Sequence, residues 1–170
     1  MRSFPFHAQA SGIIDAPVEA VFEFLDDQAN LSAHMSKPSA MMLGSAMVIQ
    51  MEADHTRNVG SKFGFMGRIF GIPLAVYEVV TARNPPFSKA WETTEEPCLW
   101  VIGPYQMAFE LAPEGARSNM RVAIDYDVPV SGISQLLGRL FGRFYAQWCT
   151  KKMVIDAGNH FKASISNNSA

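Results

Sequence analysis

Residues 13–27 read IIDAPVEAVFEFLDD, the end of a strand running directly into a helix. Asp15 can cap that helix, Pro17 suits its first turn, and Glu19 lies near the positive end of its dipole. Val18, Val21, Phe22 and Leu25 recur at i, i+3, i+4 and i+7, which makes one apolar stripe. Asp26 and Asp27 sit badly at the negative end of the same helix. They suit the cap of a second short helix, which carries Leu31, His34 and Met35 and stops at Pro38. Upstream, residues 3–14 alternate, with Phe4, Phe6, Ala8 and Ala10 on one side and Ser3, His7, Gln9 and Ser11 on the other. That period predicts a half-buried strand.

Downstream, the helical period disappears from Ala40 to about Tyr126. Strands are predicted at 41–53, 61–70, 73–83, 87–95, 99–111 and 119–128. They are separated by the turn signals Asn58-Val59-Gly60, Gly71-Ile72-Pro73, Asn84-Pro85-Pro86, Glu96-Pro97 and Pro113-Glu114-Gly115. No link is long enough for a crossover helix, so the strands form an antiparallel meander, and the first strand makes seven. After Pro129, Ser131 can cap a long helix reaching to about residue 163. Ile133, Leu137, Leu140, Phe144, Trp148 and Ile155 share one narrow sector of it, flanked by Leu136 and Phe141. A rod of about 30 residues and about 45 Å cannot hide such a stripe alone, so the stripe is expected to pack on the sheet. Gly138, Gly142 and Gly158 weaken the helix but let another backbone come close. The polar end SISNNSA, residues 164–170, is predicted to fray, which leaves residues 1–163 as one domain.

Composition agrees. A chain of 170 residues, 48% hydrophobic and only 18% charged, is committed to burial and large enough for a core without metal or disulfides. A net charge of −2 leaves no basic surplus for nucleic acid. Cys98 and Cys149 stand in unrelated contexts and are expected to be buried free thiols. The opening MRSFPFHAQASG lacks the apolar core of a signal peptide, and no apolar run approaches ~18 residues, so a cytoplasmic chain with no membrane span is expected. His7, His34, His55 and His160 are scattered, without the spacing of a metal site, and no phosphate-binding glycine loop is present. Neither metal nor cofactor is expected.

The order β, α, α, six β, long α resembles the Bet v 1-like (START-related, SRPBCC) superfamily, and within it the polyketide cyclase/dehydrase and lipid-transport group. Three segments carry the likeness: IIDAPVEAVFEFLDD (13–27), YEVVTARNPPFSKAWETT (77–94) and FELAPEGARSNMRVAIDYDVP (109–129). With the element order they span roughly residues 6–162. The resemblance implies an α+β helix-grip fold, in which a curved seven-stranded sheet wraps a long C-terminal helix and encloses a cavity for hydrophobic ligands. It implies no fixed catalytic set.

The candidate lining of that cavity is aromatic and methionine-rich: Phe63, Phe65, Trp91, Tyr105, Met107, Phe109, Phe141 and Phe144. The same residues also make good core fillers. Among polar candidates, Glu78 lies in an apolar strand. Pointing inward it would be a buried carboxyl able to act as general acid or base, but alternation equally allows it to face water. Lys151 falls within the apolar sector of the last helix, where it offers a cation to a ligand or snorkels at the rim. Tyr105 and Arg68 are further orienting groups. Arg139 and Arg143 raise an interfacial reading of the last helix, set aside for a core helix with a solvated back. The expected function is binding of a small hydrophobic ligand (a lipid, polyketide-like or aromatic metabolite) by a monomer or homodimer. A cyclase or dehydratase using the same cavity is the alternative, with Glu78, Tyr105 or Lys151 moving protons, and a protein-interaction role comes third.

Overall fold

The computed structural model describes residues 3–35, 47–69, 71–130 and 132–167. Their order is β1 (Phe6–Ile14), α1 (Val18–Asp26), α2 (Gln28–Leu31), β2 (Met47–Met51), β3 (Lys62–Ile69), β4 (Ile72–Asn84), β5 (Ser88–Thr93), β6 (Tyr105–Glu114), β7 (Arg117–Tyr126) and α3 (Gly132–Asn167). The fold is the helix-grip arrangement: one seven-stranded antiparallel sheet, two short helices after β1, and a long C-terminal helix.

Several boundaries differ from the sequence reading. Residues 41–46 and Ser131, expected as strand and cap, lie outside the described residues. Residues 99–104 are loop, not the start of a strand. Cys98 bonds back to Ala75 on β4, while Gly103 and Pro104 bond to Asp127 just beyond β7, so this segment crosses between strands. Asp15 does not cap α1, whose N-cap is Pro17 with no side-chain hydrogen bond. Asp27 does cap α2, accepting from the Ala29 amide at 2.9 Å. The backbone of α3 is helical to Asn167, four residues beyond the expected end near 163.

In the sheet the strands run β1-β7-β6-β5-β4-β3-β2, so the first strand closes against the last, with Phe6 opposite Tyr126 and Ile14 opposite Ser118. The β4–β5 register shifts between Val80 and Ala82, the kind of irregularity that bends a strand and curves a sheet. Leu74, Val76, Glu78 and Val80 of β4 all point to the buried face. There α1 inserts its stripe: Val21, Phe22 and Leu25 are buried, and the Phe22 ring lies 5.7 Å from that of Phe109.

Where α1 meets the sheet, a charged network is also buried. Asp26 receives three hydrogen bonds from Arg83 at 2.8–3.2 Å. The Lys89 ammonium, 1% exposed as a residue, donates to the Asp26 carbonyl at 2.5 Å and to Thr56 Oγ1 at 3.0 Å, and lies 3.4 Å from the Asp26 carboxylate. Burial lowers the Lys89 pKa, and Asp26 offsets part of that shift.

The long helix presents the opposite face to the one its apolar stripe predicts. Ile133 is 78% exposed and Phe144 64%, and Leu136, Leu140, Phe141 and Ile155 are exposed with them. The buried side consists of Ala146, Cys149, Thr150, Met153, Val154 and Ala157, with Gly138 and Gly142 toward its start. Close approach explains the choice. A Cβ at position 142 would lie 2.9 Å from the Val101 carbonyl oxygen, and one at 138 would lie 2.7 Å from Pro129 Cδ. Only a face of small residues allows backbones this near.

Candidate functional site

A small cavity lies between this inner face of α3, the α2 region and the sheet. Tyr145, Cys149 and Met153, spaced four apart, line it from α3. Gln28, Ser32, His34 and Met35 close it from α2 and the turn that follows. Phe65, Glu78, Trp91, Tyr105, Met107 and Ile124 form the sheet wall, and Leu99 and Ile102 come from the loop before β6. Its free volume is about 40 Å³, room for a water or two and well below the roughly 300 Å³ at which pockets for drug-sized ligands begin.

The polar groups here are few and closely placed. Tyr105 Oη donates to Glu78 Oε1 at 2.9 Å, and both residues are buried. Burial pushes the Glu78 pKa up to about 8, because a carboxylate loses its hydration there. The Tyr105 hydroxyl offsets part of this, and so does the Trp91 indole, which stops short of full hydrogen-bond geometry. At neutral pH Glu78 is therefore mostly a neutral acid. The Tyr105 and Tyr145 hydroxyls are held protonated, chiefly by burial.

His34 Nε2 lies 3.3 Å from Cys149 Sγ. The spacing would suit a thiol–imidazole dyad, but the electrostatics do not. Burial takes the His34 pKa down to about 4 and the Cys149 pKa up to about 12, so both stay neutral and no thiolate forms. Gln28 Nε2 donates to Ser32 Oγ at 3.1 Å.

Three side-chain atoms of this lining are buried without a hydrogen-bond partner: Gln28 Oε1, His34 Nδ1 and Glu78 Oε2. Among the described residues only one other buried side-chain polar atom shares that condition, Asp156 Oδ2. Buried polar groups are nearly always satisfied, so three such atoms around one cavity set its lining apart from the rest of the core.

Of the residues singled out from sequence, the structure brings together Phe65, Trp91, Tyr105, Met107 and Glu78. Glu78 faces inward because it shares the β4 face of Leu74, Val76 and Val80. Phe63 does not line the cavity; its ring packs edge-on against Phe65 at 6.1 Å. Phe109 is core packing against Phe22. Phe141 and Phe144 point outward, since α3 turns its glycine and alanine face to the sheet. Lys151 lies in that outward sector and is exposed, as is Arg68 on β3, so neither reaches the cavity. Cys98 is exposed, not buried. The sequence reading misses Gln28, Ser32, Tyr145, Cys149 and Met153. The last three carry a legible signal, an i, i+4, i+8 row on one helix. For His34 the sequence shows only a place on an apolar helix face.

No protein-family model matches the sequence, and no curated protein matches it. Solved structures do match, and the likeness is to the helix-grip fold as a whole. It is similar to TTHA0849 from Thermus thermophilus, with 14% identity, 94% of this chain and 99% of that one covered, and a TM-score of 0.69. The Zhui aromatase/cyclase from Streptomyces sp. R1128 matches at 14% identity over 97% and 96% of the two chains, TM-score 0.63. Norcoclaurine synthase from Thalictrum flavum matches at 11% identity over 91% and 84%, TM-score 0.63.

Proposed function

We propose that the chain binds a small, largely apolar ligand that carries hydrogen-bonding oxygens, held between the sheet and α3. The observation that carries this reading is the trio of unpartnered atoms on Gln28, His34 and Glu78. A ligand hydroxyl can donate to Gln28 Oε1, and a hydroxyl or carbonyl can pair with His34 Nδ1 or the protonated Glu78 carboxyl, while Phe65, Trp91, Ile102 and Met107 cover its apolar body. The small volume means that binding displaces side chains. Met35, Met107 and Met153, with flexible thioethers, are the ones suited to move. Polyketide-like and phenolic compounds fit this description better than plain acyl chains, which would leave the three atoms unsatisfied.

Native mass spectrometry of the purified protein, followed by extraction, tests the reading. An oxygenated aromatic or polyketide-like cargo is the expected result. Affinity for a phenol should also exceed that for the same skeleton without its hydroxyl, by about tenfold or more, because a buried polar site rejects the analogue that leaves it unpaired. Equal affinities would defeat the proposal.

An acid–base enzyme is the second reading, favoured by the Glu78–Tyr105 pair. A neutral carboxyl at the wall of an apolar cavity can protonate a substrate oxygen and take the proton back, with Tyr105 fixing its orientation. Two of the matching folds belong to proteins described as an aromatase/cyclase and a synthase, which supports keeping it. Glu78→Gln should then lower turnover by about a hundredfold or more, and unchanged turnover would leave binding alone.

A further inference from the structure

From Ile133 to Phe144 the outer face of α3 is apolar and uncovered, and Val130 lies exposed just before the helix. Val130, Ile133, Leu136, Leu140, Phe141 and Phe144 are each more than half exposed. At 1.5 Å per residue the stretch from Ile133 to Phe144 runs about 17 Å along the helix, too long and continuous to count as scattered surface leucines. The side chains beside it are basic. Arg139 and Arg143, both exposed, border the strip along one margin, and Lys151 follows one turn beyond Trp148 on the same sector. None of the three makes an ion pair among the described residues, and α3 has no acidic side chain before Asp156.

We infer that this strip docks α3 flat on an anionic lipid bilayer, with Leu140, Phe141 and Phe144 in the acyl boundary and the arginines on the headgroups. An apolar face with cations at its margin is the pattern of a helix lying in a membrane interface. The helix is not apolar enough to cross, which agrees with lying on the surface. A second copy of the chain fits poorly. Pairing two such strips brings the same arginines together, with no acidic residue on either segment to answer them. Charge complementarity therefore selects an anionic surface over self-association. The inner face of the same helix lines the cavity through Tyr145, Cys149 and Met153, so docking would set the cavity beside the bilayer. The inference does not depend on what the cavity binds.

The test is sedimentation of the full chain with vesicles of phosphatidylcholine alone and of equimolar phosphatidylcholine and phosphatidylglycerol. Binding should favour the mixed vesicles by about tenfold or more and weaken with salt. Each basic group near an anionic surface is worth about fivefold in affinity, so R139Q/R143Q should weaken binding by about thirtyfold. L140E should weaken it while leaving the melting temperature unchanged, since the side chain is 63% exposed. As a second measurement, an environment-sensitive dye on L140C in a C98S background should shift to the blue on the mixed vesicles. No binding, equal binding to both vesicles, or a lipid-free dimer that L140E dissociates would each overturn the inference.

Discussion

Two buried polar clusters sit side by side on the concave face and are finished in opposite ways. They meet at both ends: Asp26 and Gln28 are two residues apart at the α1–α2 junction, and Lys89 and Trp91 are two apart on β5. In the first cluster every charge is answered, with Asp26 held by Arg83 and Lys89, and Lys89 by Thr56 as well. In the second, one hydrogen bond joins Glu78 to Tyr105, and three polar atoms around it have none. Both clusters sit within the same hydrophobic core. A completed network fixes a shape, whereas an incomplete one leaves room for something else to complete it.

The largest expected effect breaks the completed side. Asp26→Ala removes the carboxylate that compensates Lys89 and frees Arg83, and should destabilise the fold by about 3–5 kcal/mol in urea unfolding. Lys89→Met sharpens the point. It replaces the ammonium with an apolar chain of similar length and leaves the Asp26–Arg83 pair intact, so it should cost far less than Asp26→Ala. Near-equal losses would mean that packing, not charge compensation, makes this cluster structural.

The next effect belongs to Glu78 and has the opposite sign. A carboxyl whose folded pKa is near 8, against about 4.5 unfolded, keeps its proton in the folded state after the unfolded chain has lost it. Stability therefore falls as pH rises from about 4.5 to 8 and levels off above that. Glu78→Gln keeps the shape and removes the titration. Against wild type it should gain stability toward pH 8, by about 2–4 kcal/mol, and show little difference near pH 4. A loss of stability at pH 8 would show that Glu78 is charged and compensated there, like Asp26, and the contrast between the clusters would vanish.

Legibility followed the same division. The element order, the antiparallel meander and the start of α1 were readable because period two, period 3.6 and turn residues are local signals. The seating of α3 was not. Apolar patterning assigns Ile133, Leu140 and Phe144 to the sheet, but Gly138, Gly142 and Ala146 face inward, and the approach of Pro129 to Gly138 and of Val101 to Gly142 admits nothing larger there. Hydrophobicity reports what prefers burial; it does not report how close two backbones must come. Phe141, Phe144 and Lys151 lie away from the cavity for that one reason. Glu78 and Tyr105 were recognisable as types, but their pairing spans β4 and β6, and no spacing in the chain encodes a bond between residues 27 positions apart. His34 and Cys149, 115 positions apart, were further out of reach.

The smallest effect separates the two titrating groups of the cavity. The His34 pKa is lowered from 6.5 to about 4, so the unfolded chain binds a proton that the folded one refuses, and stability rises with pH across that window. Between about pH 4.5 and 6.5 this opposes the Glu78 slope, and wild type should look nearly flat there. Above pH 6.5 only the Glu78 decline should remain. His34→Gln removes the rising component and should uncover a decline through the whole range from 4.5 to 8, with a change of about 1–3 kcal/mol at the acid end. Glu78→Gln should uncover the opposite slope below pH 6.5, and the double variant should be flat. Measured by thermal unfolding across pH, four curves with these signs require both groups to be buried and unpaired by charge. Single variants that track wild type would instead put the two side chains in water and remove the reason to expect a ligand between them.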